Sequence, residues 1–378
     1  MLSILAKMHI FVENLLLLCK YFADMKFIKV ISAISGLFVF FSCARQHNDF
    51  VTITGYAQGG TYIVKLSLEG ENGPLDVTEE SLKEGIDSIL FAIDNSVSGY
   101  NRNSLLTRFN AGERIRPDSI FVDIYSKSYE YWRMTGGHVD VSCGPLFDIW
   151  GFGFTKDSLP SEQQVNSILS NVGMKRLKSA MTLGSDGMIS GADILLEEDG
   201  GELPKLNYNA IAQGYSCDLV AEYLISFGVR NMLVDVGGEM FCQGLNPFGK
   251  PWTLGLDRPV DGNNTPGEDL QGVFEAGPEP CGVVTSGNYR KFYIRDGKKY
   301  AHTVNPLTGK PVTHSLLSAT VIAPDAALAD ALATYCMVVG LDEASEFISS
   351  RPGLECYLVY EQDGEMKSWS SEGFSMRE

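Results

Sequence analysis

Apolar residues recur along this chain with two different periods. Residues 51–54 and 61–68 alternate in the manner of strands, with Gly59-Gly60 between them. From Leu82 the spacing changes: Leu82, Ile86, Ile89, Ile93 and Val97 share one helical face, and Thr78 is placed to cap that helix. A second helix is predicted over 118–134, with Ile120, Ile124, Tyr131 and Trp132 inward and Gly136-Gly137 as its stop. Further helices are signalled at 161–172, 210–227 and 325–339, closed by Gly173, Gly228 and Gly340. Asp296-Gly297 and Asp363-Gly364 read as hairpin turns between β-branched and aromatic runs. Hairpins are mixed with separate helices and show no steady strand-helix alternation. The fold class expected is therefore α+β, with largely antiparallel sheets and packed helices, in one large core or two intimately joined subdomains. Residues 246–280, rich in Gly, Pro and Asp, read as a long surface excursion and not as a linker between independent domains.

The first forty-odd residues depart from this pattern. Lys26 and Lys29 precede an uncharged apolar run over 30–41, too short to span a bilayer, which closes on Ser42-Cys43. That ending resembles a bacterial lipobox, with Cys43 becoming the lipidated first residue. The organisation expected is an upstream segment over 1–24 that precedes the true start at Met25, a signal peptide over 25–42, a lipid-anchored tether over 43–50, and one domain over 51–378. The rival reading of 1–24 is a genuine N-terminal membrane segment, against which Lys20 and Asp24 interrupt the apolar stretch. The expected location is the cell envelope, outside the cytoplasm, with the protein anchored by lipid and facing the periplasm.

Charge narrows the partners. The 378 residues carry 30 Lys and Arg against 47 Asp and Glu, a formal net charge of −17, and removing residues 1–42 takes away four basic and two acidic side chains. Nucleic acid is not expected as a partner, because its binding relies on clustered Lys and Arg. Beyond Cys43, the cysteines Cys143, Cys217, Cys242, Cys281, Cys336 and Cys356 have neither zinc-ribbon nor redox-pair spacing and do not read as a disulfide scaffold in a chain this long; most are expected to be buried small hydrophobes.

Candidate chemistry gathers late in the chain. There is no Walker loop, no Gly-x-Gly-x-x-Gly after a strand, no His-Glu-x-x-His and no Gly-x-Ser-x-Gly. Asp330 and Thr334, four residues apart on a predicted helix, share a face and form a hard oxygen pair suited to Mg2+, a spacing also common on solvated helices. His302 stands before the turn Asn305-Pro306-Leu307-Thr308-Gly309, as a structural histidine or as a proton carrier beside a phosphate. Glycines beside Trp150 and Phe152 let a planar ring such as a flavin approach the backbone, although core packing explains the same aromatics.

Taken in order, the segments resemble the ApbE family of FAD:protein FMN transferases over nearly the whole chain after the leader. The series runs through Gly60-Thr61, Ser98-Gly99-Tyr100, Ser104 with Arg108-Phe109-Asn110, and Asp140 with Gly144-Pro145-Leu146 and Trp150-Gly151-Phe152-Gly153. It continues with Ala210-Ile211-Ala212, Gly214-Tyr215, Asp218, Asp235-Val236-Gly237-Gly238-Glu239, Thr285-Ser286-Gly287-Asn288-Tyr289, the segment 300–309 and the segment 329–334. The resemblance implies an enzyme that binds FAD with Mg2+ and moves the FMN half onto a threonine hydroxyl of another protein, releasing AMP. It implies metal ligation by Asp330, Thr334 and the Ala210 carbonyl, and a catalytic role for His302, with Asp330 as the other candidate base. It also implies that Gly60, Tyr100, His138, Val139, Asp140, Gln213, Thr285, Ser286, Gly287 and His302 line the flavin and its phosphates. The implied partner is an acceptor protein with a flavinylation Thr or Ser, such as an electron-transport subunit. An FAD diphosphatase giving FMN and AMP, and an FAD-binding lipoprotein without turnover, are the alternatives. The chain departs from the family pattern at Gly59, where Met is usual, at Asn207 and Asn305, where Asp is usual, and at Gln213, where Lys is common. Loss of that lysine removes a positive charge near the phosphates, and Asn305 cannot serve as a base.

Overall fold

Two tight turns frame the main sheet. In the computed structural model, Gln58 and Gly59 have φ of 53° and 80° and join β1 (Phe50–Ala57) to β2 (Gly60–Ser67); Asp363 and Gly364, at 59° and 80°, do the same at the far edge. Successive positive φ values match the right-handed twist of the flanking strands, which is why glycine takes the second position of both turns after a polar residue. The described residues are 49–152, 159–196, 202–260, 262, 263, 265, 267–288, 292–295, 298–301 and 303–377. The expected leader, Cys43, the Asp296-Gly297 turn and His302 lie outside them.

Between the two hairpins the sheet takes up β3 (Met232–Val236), β4 (Glu239–Gln243), β7 (Cys281–Gly287) and β8 (Leu316–Ala323), and it ends in β9 (Glu355–Gln362) and β10 (Glu365–Ser370). The order is β1-β2-β3-β4-β7-β8-β9-β10, and each neighbouring pair is antiparallel. The expected α+β class with antiparallel sheet is what the chain forms.

Alternation along the strands gives the sheet two buried faces. Val234, Phe241, Val284, Val321 and Leu358 belong to the large core shared with the helices. Leu233, Cys242, Val283, Tyr357 and Val359 face a smaller core with Trp252, Leu254 and Phe274. Those last three come from β5 (Trp252–Asp257) and β6 (Leu270–Ala276), which pair with each other, β6 also pairing with Met376–Arg377. The excursion over 246–280 is thus a hairpin covering the second face, with apolar residues too sparse to announce a sheet on their own. His47–Glu378 form one compact unit.

The helices follow the predicted faces with shifts that have local causes. α1 (Glu79–Val97) begins at a capping box between Thr78 and Ser81. α2 (Ser119–Met134) buries Phe121, Ile124, Tyr125, Ser128 and Tyr131, while Ile120 and Trp132 are only half-buried. α3 (Glu162–Leu169) stops short of the predicted end, since Ser170 and Asn171 side chains bond the Ser167 carbonyl and compete with further helical turns. α4 (Ala212–Ser226) and α5 (Ala326–Val339) pack against each other; α5 also lies on β7 and β8. Among the described residues no helix is long and apolar enough to cross a membrane.

Candidate active site

The start of α5 is held by two carboxylates. Asp325 accepts from Leu328 N at 2.8 Å, and Asp218 on α4 accepts from Ala326 N and Ala327 N at 2.8 and 2.9 Å. A helix opens with unsatisfied N–H groups, and these contacts satisfy three of them. Burial pushes the Asp218 carboxyl up to about 7, against the pull of its two N–H partners.

One turn along α5, Asp330 is 5 % exposed, and its Oδ2 accepts from the backbone N–H of Gly214 at 3.1 Å. Gly214 stands in the first turn of α4, whose N-cap Ile211 offers no side-chain bond, so Asp330 supplies the missing cap from the neighbouring helix. The approach is close: a Cβ at Gly214 would lie 2.2 Å from the Ala326 carbonyl oxygen and 2.9 Å from Asp330 Cβ. Because Gly214 N–H turns to Asp330, the Ala210 carbonyl four residues earlier is left off the helical ladder, and no described hydrogen bond reaches it. Burial also raises the Asp330 carboxyl above its ordinary range. Thr334, half-buried, follows one turn later on α5.

Other predicted residues gather around this helix pair. The turn before α4 is held by Tyr208, whose carbonyl accepts from Ile211 N and Ala212 N at 3.0 and 2.8 Å. Asn209 in that turn donates from Nδ2 to the Tyr100 hydroxyl at 3.3 Å, which sets the 70 % exposed Tyr100 beside Ala210. Gln213 Nε2 donates to the Val236 carbonyl at 3.4 Å and lies where a Cβ on Gly237, with φ of 73°, would come within 2.0 Å. Gly60 faces the same turn, where its Cβ would be 3.8 Å from Gly237 Cα. His138 bonds the Thr135 carbonyl through Nδ1 at 3.0 Å, and its ring meets Tyr335, the residue after Thr334, edge-on at 5.9 Å.

Three predicted positions make local contacts of their own. The Val139 side chain is part of the large core. Asp140 is a local cap: Oδ1 accepts from Ser142 N and Oγ at 2.9 and 2.6 Å, and Oδ2 from Met174 N at 2.9 Å. Along β7, alternation puts Ser286 on the α5 face with Val284, whereas Thr285 points to the other face and pairs with Thr320 Oγ1 at 2.8 Å. Gly287, at the strand's end, lies opposite Ser318. Asn305 accepts from Leu307 N at 2.8 Å and from Thr308 N at 3.3 Å, a turn-holding role that an amide oxygen fills as well as a carboxylate does. That turn borders a cleft of about 620 Å³ with Trp150, Lys310, His314 and Val338 on its walls.

The sequence pointed to the segment from Asn209 to Tyr215 but not to its bond with Tyr100, and it gave no sign of Tyr335 beside His138, since neither contact has a periodic signature. Gly214 did carry a signal, as a glycine in the first turn of a helix, where close approach is the physical reason to spend helix propensity. Among the described residues there is no cluster of three His, Cys, Asp or Glu side chains able to hold a metal.

A profile of the ApbE family matches residues 59–358. The FAD:protein FMN transferase of Escherichia coli K12 is 32% identical over 339 residues, covering 88% of this chain and 90% of that protein. The FAD:protein FMN transferase of Haemophilus influenzae is 30% identical over 356 residues, covering 92% and 97%. Among solved structures, the apo flavinyl transferase ApbE of Pseudomonas stutzeri superposes with a TM-score of 0.70 at 27% identity, covering 85% of this chain and 95% of that one. The flavin transferase ApbE of Vibrio cholerae gives 0.69 at 27% identity, covering 85% and 97%.

Proposed function

The chain belongs to the ApbE family, and we propose on that premise that it transfers the FMN moiety of FAD to a threonine hydroxyl of an acceptor protein, assisted by Mg2+ at Ala210, Asp330 and Thr334. The observation that carries the metal assignment is the Gly214 to Asp330 hydrogen bond, which leaves the Ala210 carbonyl open beside a buried carboxylate. Carbonyl, carboxylate and hydroxyl are hard oxygen donors, the set Mg2+ prefers. A buried carboxylate with a single N–H donor is also under-compensated, and a divalent cation supplies the missing charge. When bound, Mg2+ neutralises negative charge on the diphosphate as it is cleaved.

The transfer breaks the P–O bond that joins the FMN phosphoryl group to AMP and forms one from the same phosphorus to the threonine oxygen. AMP departs, and the threonine proton is released. His302, which lies outside the described residues, is assigned the role of taking that proton, since Asp330 as a metal ligand is the poorer base. Tyr100 and His138 bracket the helix pair and are suited to holding the flavin end in place. Gln213 is pinned against Gly237 and brings no charge, so FAD affinity rests on the metal and on backbone donors more than in relatives with lysine there.

The acceptor is assigned to the envelope, as an electron-transport subunit or similar protein, with the enzyme anchored through lipidated Cys43 on the periplasmic side. Incubating the protein with FAD, Mg2+ and an acceptor domain bearing a flavinylation threonine tests the reading. A fluorescent acceptor band after denaturing electrophoresis, with matching AMP, is expected. Free FMN and AMP without a band would mean hydrolysis, and intact FAD would leave only binding.

A further inference from the structure

The chain leaves the main sheet at the end of β4 and returns at the start of β7, and at that crossing two cysteines stand face to face. Cys242 and Cys281 are directly opposed in the antiparallel ladder, so both side chains point to the same side of the sheet. Cys242 is fully buried in the smaller core and Cys281 packs against that core while remaining partly open to solvent. Everything between them is the β5–β6 hairpin module. Its neck is closed by Gly244 N to the Pro278 carbonyl at 2.8 Å, and by Trp252 Nε1 to the Gln243 carbonyl at 3.1 Å.

We propose that Cys242 and Cys281 are a disulfide-forming pair that staples the neck of this module. Cβ atoms of directly opposed residues lie about 4.5–5.5 Å apart, and those of a disulfide about 3.5–4.5 Å, so an approach of the two strands by about 1 Å or less at this one pair makes the bond without changing their register. The Cys281 thiol is close enough to contribute, after burial, to the upward shift of Cys242. The neighbouring pair Cys336 and Cys356 also interacts, but both are fully buried and closed to an external oxidant. Cys217 is engaged with the Glu239 carbonyl.

The oxidant is a small disulfide such as oxidised glutathione. The Cys281 thiolate attacks one of its sulfurs, the S–S bond breaks, and the first glutathione leaves as a thiolate. The Cys242 thiolate then attacks the Cys281 sulfur and displaces the second. Two protein thiols are oxidised to one disulfide, one glutathione disulfide is reduced to two thiols, and the two protons pass through solvent to the leaving groups. Burial keeps both cysteines largely protonated, so the exchange is slow.

The proposal is independent of the flavin chemistry, and its test does not use turnover. The full chain is incubated for hours with oxidised glutathione, quenched with an alkylating agent in denaturant, and mapped by mass spectrometry. Expected are a cross-linked peptide joining Cys242 to Cys281, its loss on reduction, loss of alkylation at both positions, and a melting temperature several degrees higher until reductant is added. Cys242→Ala and Cys281→Ala should each abolish the cross-link. Full alkylation at both positions, a glutathione adduct that stays on Cys281, or a link from either residue to another cysteine would overturn the proposal.

Discussion

Asp330 Oδ2 and the backbone N–H of Gly214 meet at 3.1 Å, so a carboxylate on one helix caps the first turn of its neighbour. The proposed reading gives the same group a metal to hold, and substitution would separate the two duties. Asp330→Asn keeps an oxygen for Gly214 N–H and loses the charge; Asp330→Ala loses both. Both variants should reduce transfer by roughly 100-fold or more, but only the alanine variant should also lose about 1 kcal/mol of stability. Single-turnover FMN transfer and thermal melts, run side by side, check this.

Gly214→Ala tests the helix crossing. The new methyl would sit 2.2 Å from the Ala326 carbonyl oxygen, which belongs to backbone and cannot swing aside. The helices must part, at a cost of about 1–3 kcal/mol, and the Asp330 contact lengthens. Metal affinity measured by titration with Mn2+ should fall even though no donor has been removed; unchanged affinity would detach Gly214 from the site.

Acidity should govern metal binding. Burial raises the Asp330 carboxyl, and a carboxylate ligates only after losing its proton, so affinity should weaken as pH falls below the raised value, by about tenfold per unit for one displaced proton. The metal-free protein should show the opposite trend in stability. Asp218, raised from 3.8 to about 7, binds its proton more tightly folded than unfolded, so stability is highest below that window and declines as pH rises through it. Melting curves in chelator and in excess Mg2+ across this range separate the two effects.

Anchoring is read from Lys26 and Lys29, the apolar run over 30–41 and its ending at Ser42-Cys43. Cys43→Ser should move the protein from the membrane to the soluble fraction when both forms are expressed in a bacterial host, with activity on a soluble acceptor unchanged. Equal distribution of the two forms would remove the lipid assignment.

Local signals in the sequence were reliable where one turn of chain decides the outcome. Thr78, Gly136, Gly228 and Gly340 cap or stop helices where their chemistry says they should. The Asp330 and Thr334 spacing placed both on one helix, and family resemblance supplied Ala210. What stayed hidden depends on partners far along the chain. The open state of the Ala210 carbonyl follows from a hydrogen bond to residue 330, and no window around 210 contains it. Asp140, grouped with the flavin by resemblance, holds the 3-10 turns at Ser142 and Met174, a role its sequence neighbours do not announce. The cysteines show no pattern along the chain because Cys242 and Cys281 become neighbours only when β4 and β7 pair.

The order of the main sheet also has a kinetic consequence. β1 is at one edge and β10 at the other, and the N-terminal hairpin, already packed on the nearby α1, joins the rest of the sheet only when Tyr62 pairs with Val236. Pairings this distant in sequence are slow to form, because loop closure precedes the contacts that reward it. No N-terminal fragment contains a finished sheet, and the last strand is synthesised almost at the end of the chain. The local hairpins β1–β2, β3–β4 and β9–β10 can form as soon as they are made, and the sheet that unites them waits for partners far along the chain.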